Sequence, residues 1–385
     1  MKLAYIAPTR VPSQSANSQH VMRMAQAYGR LGHDVTLTAA PGAAAPGNDP
    51  FAFYGVERAF RLRLLPMPGF PGGGHVFALR AAAAVAADGP DIVHTRNVPT
   101  AYRCTRRGLP TILETHVPVA DMGIVPRRQF EHIRRSKALR GVVVISRALH
   151  DWYERTYSDA SEWLVLAPDA ADPPATTTIA RRDGPPVVAY TGSLYPGKGM
   201  ELLAAIVPRC PALRFRIVGG PDDLVAHWRA QLRGAANVEF LGFVPFAVAE
   251  RERLAADILV APYQPSITLV AKGTPRLRWL GGHPDIAQWM SPLKLFEYMA
   301  AGKPIVCSDL DVLREVLRDG DNAVLAPHDR LDTWAAALSA LASDPERGRR
   351  LGGRARAEFL ERYTWDARAR HILAAAQRAE GWPLS

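Results

Sequence analysis

The sequence predicts an α/β protein made of two consecutive units, each with a parallel, doubly wound sheet. Three observations carry this. Short runs rich in valine and isoleucine, without polar alternation, recur along the chain, as strands covered on both faces require. Helical patterns separate them, as crossovers between parallel strands require. The rhythm stops at a turn-rich stretch over residues 167–186 (APDAADPPATTTIARRDGPP) and then restarts. The length of 385 residues agrees, because a single core stops growing at roughly 250–300 residues.

In the first half, strands are expected at 2–7 (KLAYIA), 34–40 (DVTLTAA), 91–96 (DIVHTR), 111–116 (TILETH) and 141–146 (GVVVIS). A helix is expected from about 20 to Gly32, and the alanine run at 81–87 reads as a buried helix. In the second half, strands are expected at 187–193, 213–220, 238–243, 257–263, 304–309 and 323–327. The tail from 329 to 385 reads as helical. This gives a first domain over 1–172 and a second over 186–364, followed by a last helix over 365–385. In such sheets ligands sit at the carboxyl ends of the strands.

Composition narrows the function. Hydrophobic residues make up 48% and charged residues 22%, so disorder is expected only in short linkers. The net charge of +10 favours phosphate-bearing partners or an anionic surface. No nucleic-acid motif and no aromatic-basic interleaving accompany it, so nucleic acid is not an expected partner. Cys104, Cys210 and Cys307 are far apart and odd in number, which argues against a disulfide framework and a zinc site and for a reducing cytosol. The opening MKLAYIAPTR is too short in its apolar run for a signal peptide, and no run of about 18 apolar residues occurs. The expected location is the cytoplasm, with peripheral contact at the inner membrane face left open.

Two segments carry chemistry. In SPLKLFEYMAAGKP (291–304), Ser291 is expected to N-cap a helix, with Pro292 and Leu293 opening it and Lys294 at its third position. A helix start is an anion site, and Ser291, Lys294 and Glu297 would share one face, suiting a diphosphate at the start and a ribose one turn on. A lysine there opposes the helix dipole at a cost of about 0.3–1 kcal/mol, which an anion would offset. A solvated lysine and a surface glutamate fit the spacing equally well. In TGSLYPGKG (191–199), Gly192, Ser193 and Gly197 form a strand-end loop that lets backbone approach phosphate, and Lys198 supplies a compact countercharge. An ordinary turn with a surface lysine is the plainer reading. His116 ends a strand, His94 and Arg96 lie in VHTRN, and Asn17 or Ser18 is placed to cap the helix after the first strand.

These segments resemble a known family. YTGSLYPGKGMELL (190–203), SPLKLFEYMAAGKPIVCSD (291–309), LREVLRDGDNAVLAP (313–327) and RYTWDARA (362–369) are similar to the C-terminal half of family-4 retaining glycosyltransferases of the GT-B fold. LGHDVTL (31–37) and DIVHTRN (91–97) resemble the N-terminal half more weakly. The resemblance runs from about residue 2 to about 372. It implies two Rossmann-like domains facing across a cleft, with the last helix, after Trp365, crossing back to the first domain. It implies transfer from a nucleotide-diphosphate-sugar to a saccharide or lipid-linked acceptor, with retention, without a metal and without a cofactor, in cell-surface polysaccharide or glycolipid synthesis. It makes Glu297 the ribose ligand, Lys198 a diphosphate contact and His116 a neighbour of the donor sugar.

The chain departs from the family in three places. Ser193 stands where many members have arginine, and Trp289 where many have a second glutamate. SPLK replaces the usual glycine-rich stretch before the helix, and 271–290 reads as an enlarged loop ahead of it; Lys272, Arg276, Arg278 or Lys294 is expected to stand in for the missing arginine. The basic run 126–141 (PRRQFEHIRRSKALRG) is a candidate for contact with anionic membrane near a lipid-linked acceptor, although a charge run is usually a solvated face. A dinucleotide oxidoreductase lacks support, because APTRVPSQ follows the first strand where G-x-G-x-x-G is required. A nucleotide-sugar epimerase of the same fold and a non-catalytic nucleotide-sugar-binding protein remain as alternatives.

Overall fold

The structure is a computed structural model, and it describes residues 1–42, 49–176, 184–267 and 285–378. Packing divides the chain into two units. The first holds Met1–Pro168 and the segment from Trp365 on, and the second holds Asp169–Thr364 apart from residues 275–284.

The first unit has seven strands: β1 (Lys2–Val11), β2 (Asp34–Pro41), β3 (Arg61–Leu64), β4 (Ile92–Thr95), β5 (Thr111–Thr115), β6 (Leu139–Val144) and β7 (Leu164–Leu166). They lie in the order β3-β2-β1-β4-β5-β6-β7, and each pairing is parallel. The order reverses at β1, the position where doubly wound sheets place ligands at their carboxyl ends. The central strands β4, β5 and β6 are buried along their whole length, which is why they read as unbroken apolar runs. The alanine run lies in the Gly73–Asp88 helix, where Ala81, Ala82 and Val85 pack with Phe77 on Ala4 and Ile6 of β1.

The sequence expectation omits β3 and β7. β3 is an edge strand, RLRL, with no buried residue, so it carries no buried-strand pattern. β7 is three residues long. The first helix also starts earlier than expected. It spans Ala16–Arg30 and is capped by Ser15, whose side chain accepts from the Ser18 backbone N–H. Asn17 and Ser18 therefore do not cap it. The Ser18 hydroxyl turns back to donate to the backbone carbonyls of Ser13 and Ser15, and Asn17 points to a different partner described below.

The second unit has six strands: β8 (Val187–Thr191), β9 (Arg214–Val218), β10 (Val238–Gly242), β11 (Ile258–Ala261), β12 (Ile305–Ser308) and β13 (Val324–Ala326). Their order is β10-β9-β8-β11-β12-β13, again parallel, with the reversal at β8. The core is built from β8, β9 and β11 against the Met200–Ile206 and Leu331–Ser343 helices, with Trp334 fully buried at its centre. Its indole N–H donates to the Pro327 carbonyl, as a buried indole requires.

The Trp365–Arg378 helix belongs to the first unit, although it follows the second in sequence. Trp365 sets its ring edge-on to His20 at 4.9 Å. Arg368 donates to the carbonyls of Ala167 and Pro168. Cys104, Cys210 and Cys307 are free and buried.

Candidate functional site

In the second unit, the end of β8 meets the start of the Leu293–Ala301 helix. β8 ends at Thr191, whose backbone N–H donates to the Tyr298 hydroxyl of that helix. Gly192 follows with φ of 142°, in the region open to glycine. A Cβ there would stand 3.0 Å from Lys294 Nζ, so a side chain at 192 and the present lysine position exclude one another. The lysine therefore lies directly against the turn that leaves the sheet.

Lys294 is buried, and among the described residues its ammonium has no hydrogen-bond partner. It rests on aromatic faces instead, 3.8 Å from the Tyr190 ring centroid and 5.0 Å from that of Tyr263. Lys198 approaches the same Tyr263 ring at 5.5 Å. Two cations thus share one tyrosine. Burial pushes the Lys198 ammonium down to about 8. Burial also holds Lys294 well below its usual value, and repulsion from Lys198 adds to the effect against a partial offset from Glu297. A buried cation without a partner costs several kcal/mol by desolvation, so an anion arriving here would be strongly favoured.

The loop that carries Lys198 is tied down by its own hydrogen bonds. The Tyr190 hydroxyl donates to the backbone carbonyls of Ser193 and Lys198, at 2.6 and 3.1 Å. The Gly197 N–H donates to Glu201 Oε1, and its carbonyl accepts from Gln264 N–H. A Cβ at Gly197 would fall 2.3 Å from the Ser266 carbonyl oxygen. That close approach to its own chain is the reason for glycine at 197. Ser193 contributes its backbone to this loop; its side chain supplies no cation in the arginine's place.

Ser291 does not cap the helix. Its hydroxyl accepts from the Asp169 backbone N–H at 2.9 Å, while Pro292 occupies the cap position with no side-chain cap bond. The serine is spent on anchoring the segment after Pro168, so the helix begins at Leu293 and Lys294 moves to its second position. Glu297 lies one turn on and is largely buried. It faces Arg253 at 3.3 Å, a residue the sequence reading did not single out. Arg253 comes from another helix, Phe246–Ala255. Lys272, Arg276 and Arg278 lie outside the described residues.

The first unit holds a second constellation. His116, just past β5, is partly exposed, and its Nε2 lies 2.7 Å from Glu114 Oε1. Arg96 spans two predicted residues: Nη1 donates to Asn17 Oδ1 at 2.6 Å, and Nη2 lies 2.9 Å from His116 Nδ1. Asn17, Arg96 and His116 are therefore one group, which the sequence had named separately. Glu114, His20 and Arg368 were missed. Glu114 is fully buried, with Arg368 at 3.0 Å, Arg96 at 3.2 Å, His20 at 3.3 Å and His94 at 3.4 Å. Burial alone would raise its pKa, but Arg368, His20, Arg96 and the bond from His116 together hold it well below the usual carboxylate range. His94, also buried, is pushed down by desolvation and meets the Tyr28 hydroxyl at 3.0 Å. The glutamate in TILETH was a legible signal, since a lone acid inside a fully apolar strand needs cations around it.

Comparison with known proteins agrees with both halves. Residues 185–344 match the family model for glycosyl transferases group 1, and residues 18–173 match that for glycosyltransferase family 4. The chain is 32% identical over 253 residues to a phosphatidyl-myo-inositol mannosyltransferase of Mycolicibacterium smegmatis, covering 63% of this chain and 58% of that protein. It is 28% identical to the Mycobacterium tuberculosis (strain H37Rv) protein of the same description, over 99% of this chain and 98% of that one. Part of a D-inositol 3-phosphate glycosyltransferase of Nocardia farcinica matches at 30% identity, covering 52% of this chain and 42% of that protein. Among solved structures, sucrose-phosphate synthase from Thermosynechococcus elongatus superposes with a TM-score of 0.72 at 16% identity, over 98% of this chain and 99% of that one. Anabaena HepE in complex with UDP-glucose superposes with a TM-score of 0.69 at 14% identity, over 97% and 98%. With two parallel-sheet Rossmann-like units, both family models matched and GT-B structures as neighbours, the chain belongs to the family-4, group-1 glycosyltransferases of the GT-B fold.

Proposed function

We propose that the chain transfers a sugar from a nucleoside-diphosphate-sugar donor, with Lys294 and Lys198 gripping the diphosphate. The observation that carries this reading is the Lys294 ammonium, buried beside a second lysine and without a hydrogen-bond partner among the described residues. A diphosphate supplies the two or more negative charges such a pair calls for. When the sugar–phosphate bond breaks, the leaving diphosphate gains charge, and fixed cations aimed at it lower the barrier. Lys294 takes the place of the family arginine that Ser193 lacks. Glu297, held by Arg253, receives the ribose hydroxyls, and His116 faces the sugar.

Among the described residues no side chain is set as a nucleophile beside these groups, so attack on the donor's own face, with the departing phosphate oxygen taking the acceptor proton, fits the reading of retention. The two lysines supply the countercharge for which other enzymes recruit a metal ion. The acceptor is a lipid-linked or inositol-bearing polyol. The names of the mycobacterial relatives, which act on phosphatidyl-myo-inositol, support that class. Contact with an anionic membrane is part of the proposal. The Ile124–Arg134 helix exposes Ile124 at 72% and Val125 at 54%, next to exposed Arg127, Arg128 and Arg135. Among the described residues no helix is long and apolar enough to cross a membrane.

A thermal-shift screen of nucleotide sugars tests the donor class. A true donor at 100 times its Kd stabilises the fold by about 2.7 kcal/mol. A flat response to the whole panel would remove the reading.

A further inference from the structure

The first unit holds the His116 ring by both nitrogens. Nε2 meets Glu114 Oε1 at 2.7 Å, and Arg96 Nη2 lies 2.6 Å from Nε2 and 2.9 Å from Nδ1. A carboxylate only accepts and a guanidinium only donates, so Glu114 fixes what Nε2 must do. Nε2 must carry the hydrogen given to Glu114. Nδ1 is then the one position able to accept from Arg96. Glu114 therefore selects a single neutral form of the ring, and Arg96 Nη2, which lies near both nitrogens, is left with Nδ1 as its acceptor.

Glu114 divides its oxygens between two tasks. Oε2 takes the Nη2 hydrogen of Arg368, at 3.0 Å, from the Trp365–Arg378 helix. Oε1 faces His116. One buried carboxylate therefore joins the seat of the last helix to the orientation of a half-exposed ring. His116 makes the shortest contact to Oε1, which Arg96 Nε at 3.2 Å and His20 Nε2 at 3.3 Å also face.

We propose that Glu114 is the positioning residue of His116, fixing the imidazole as the Nε2–H tautomer, and that Arg368 seats the Glu114 carboxylate for this task. Only the catalytic consequence rests on reading His116 as a neighbour of the donor sugar. The positioning itself is a property of the ligand-free protein. A ring with a fixed tautomer presents a lone pair at Nδ1 once Arg96 yields it, and that lone pair accepts from a sugar hydroxyl. A mixed population would present a donor there half the time.

The test is nitrogen-15 NMR of the full chain labelled at histidine, with two-bond proton–nitrogen correlations and His116 assigned by loss of its peaks in His116→Gln. The wild-type protein is expected to show His116 as the neutral Nε2–H form. A Glu114→Leu/Arg368→Met double variant removes both members of the pair and leaves neither of them orphaned, a change that cores often tolerate. It is expected to keep the peaks of the remaining histidines outside the cluster while His116 moves to Nδ1–H or to a mixture. Hydrolysis of UDP-glucose or GDP-mannose, whichever stabilises the fold, is expected to fall at least tenfold in kcat with KM little changed. An Nδ1–H signal in the wild type, or an unchanged Nε2–H signal in the folded double variant, would overturn the proposal. If the double variant fails to fold, the wild-type tautomer decides alone. A changed tautomer with unchanged hydrolysis would leave the positioning intact and remove His116 from the transfer.

Discussion

At the scale of single residues, the decisive quantity is the charge on two lysines. Both are pushed down by burial, Lys198 to about 8. Their ammonium forms are needed to hold a diphosphate, so the affinity for UDP is expected to weaken as pH rises from 7 to 9. Near pH 8 binding is expected to draw protons from the buffer, which titration calorimetry in buffers of different ionisation enthalpy measures directly. Stability of the ligand-free protein runs the other way. The folded pKa of Lys198 lies below that of the unfolded chain, so its charged form is penalised in full below about 8 and the penalty fades as pH climbs toward the unfolded value. Lys294→Met is expected to raise the melting temperature of the ligand-free protein, because it removes a buried cation that has no hydrogen-bond partner among the described residues. Gly192→Ala is expected to cost about 1 kcal/mol or more, since φ there is 142° and the new Cβ would stand 3.0 Å from Lys294 Nζ. Denaturant titration of the two variants checks both signs; a destabilised Lys294→Met would mean that the ammonium has a partner.

At the scale of elements, the parallel strands were legible because burial on both faces leaves an apolar run that nothing interrupts. β3 was not, because an edge strand with arginines on it looks like a loop. The lysine–loop pairing was half legible. Spacing placed Lys294 on the right helix and Lys198 on the right loop, but no sequence rule says that both meet Tyr263, 31 residues before one and 65 after the other. The wrong cap at Ser291 has the same origin: Ser-Pro before a helix is a good cap locally, and a long-range bond from Asp169 outcompetes it. The Ile124–Arg134 helix makes its own prediction. Phe130 and Ile133 face the core, while Ile124, Arg127 and Arg128 face outward. Each basic residue at an anionic surface contributes about 1 kcal/mol, so Arg127→Glu/Arg128→Glu is expected to reduce cosedimentation with anionic vesicles more than tenfold and to leave binding to zwitterionic vesicles unchanged. Equal binding of both proteins to both vesicles would exclude this helix as the contact.

At the scale of the whole molecule, two sheets of one topology have been given different polar interiors. The first unit buries a carboxylate among histidines and arginines, and the second buries a lysine among tyrosines. The two-unit plan was readable from the rhythm of the strands and the break near residue 168. The polar interiors were not, because each is assembled from side chains on three or more elements. They are also what sets function apart from fold, since parallel sheets of this kind host many chemistries. The central claim is that the second unit's lysine pair is an anion grip. Titration calorimetry of UDP, GDP and inorganic pyrophosphate into the wild type and into a Lys198→Met/Lys294→Met double variant tests it most directly. Loss of two charge-assisted contacts, each worth about 1.5–3 kcal/mol, predicts at least a hundredfold weaker binding of the tightest of the three in the folded variant. Equal affinity in the two proteins would contradict the account.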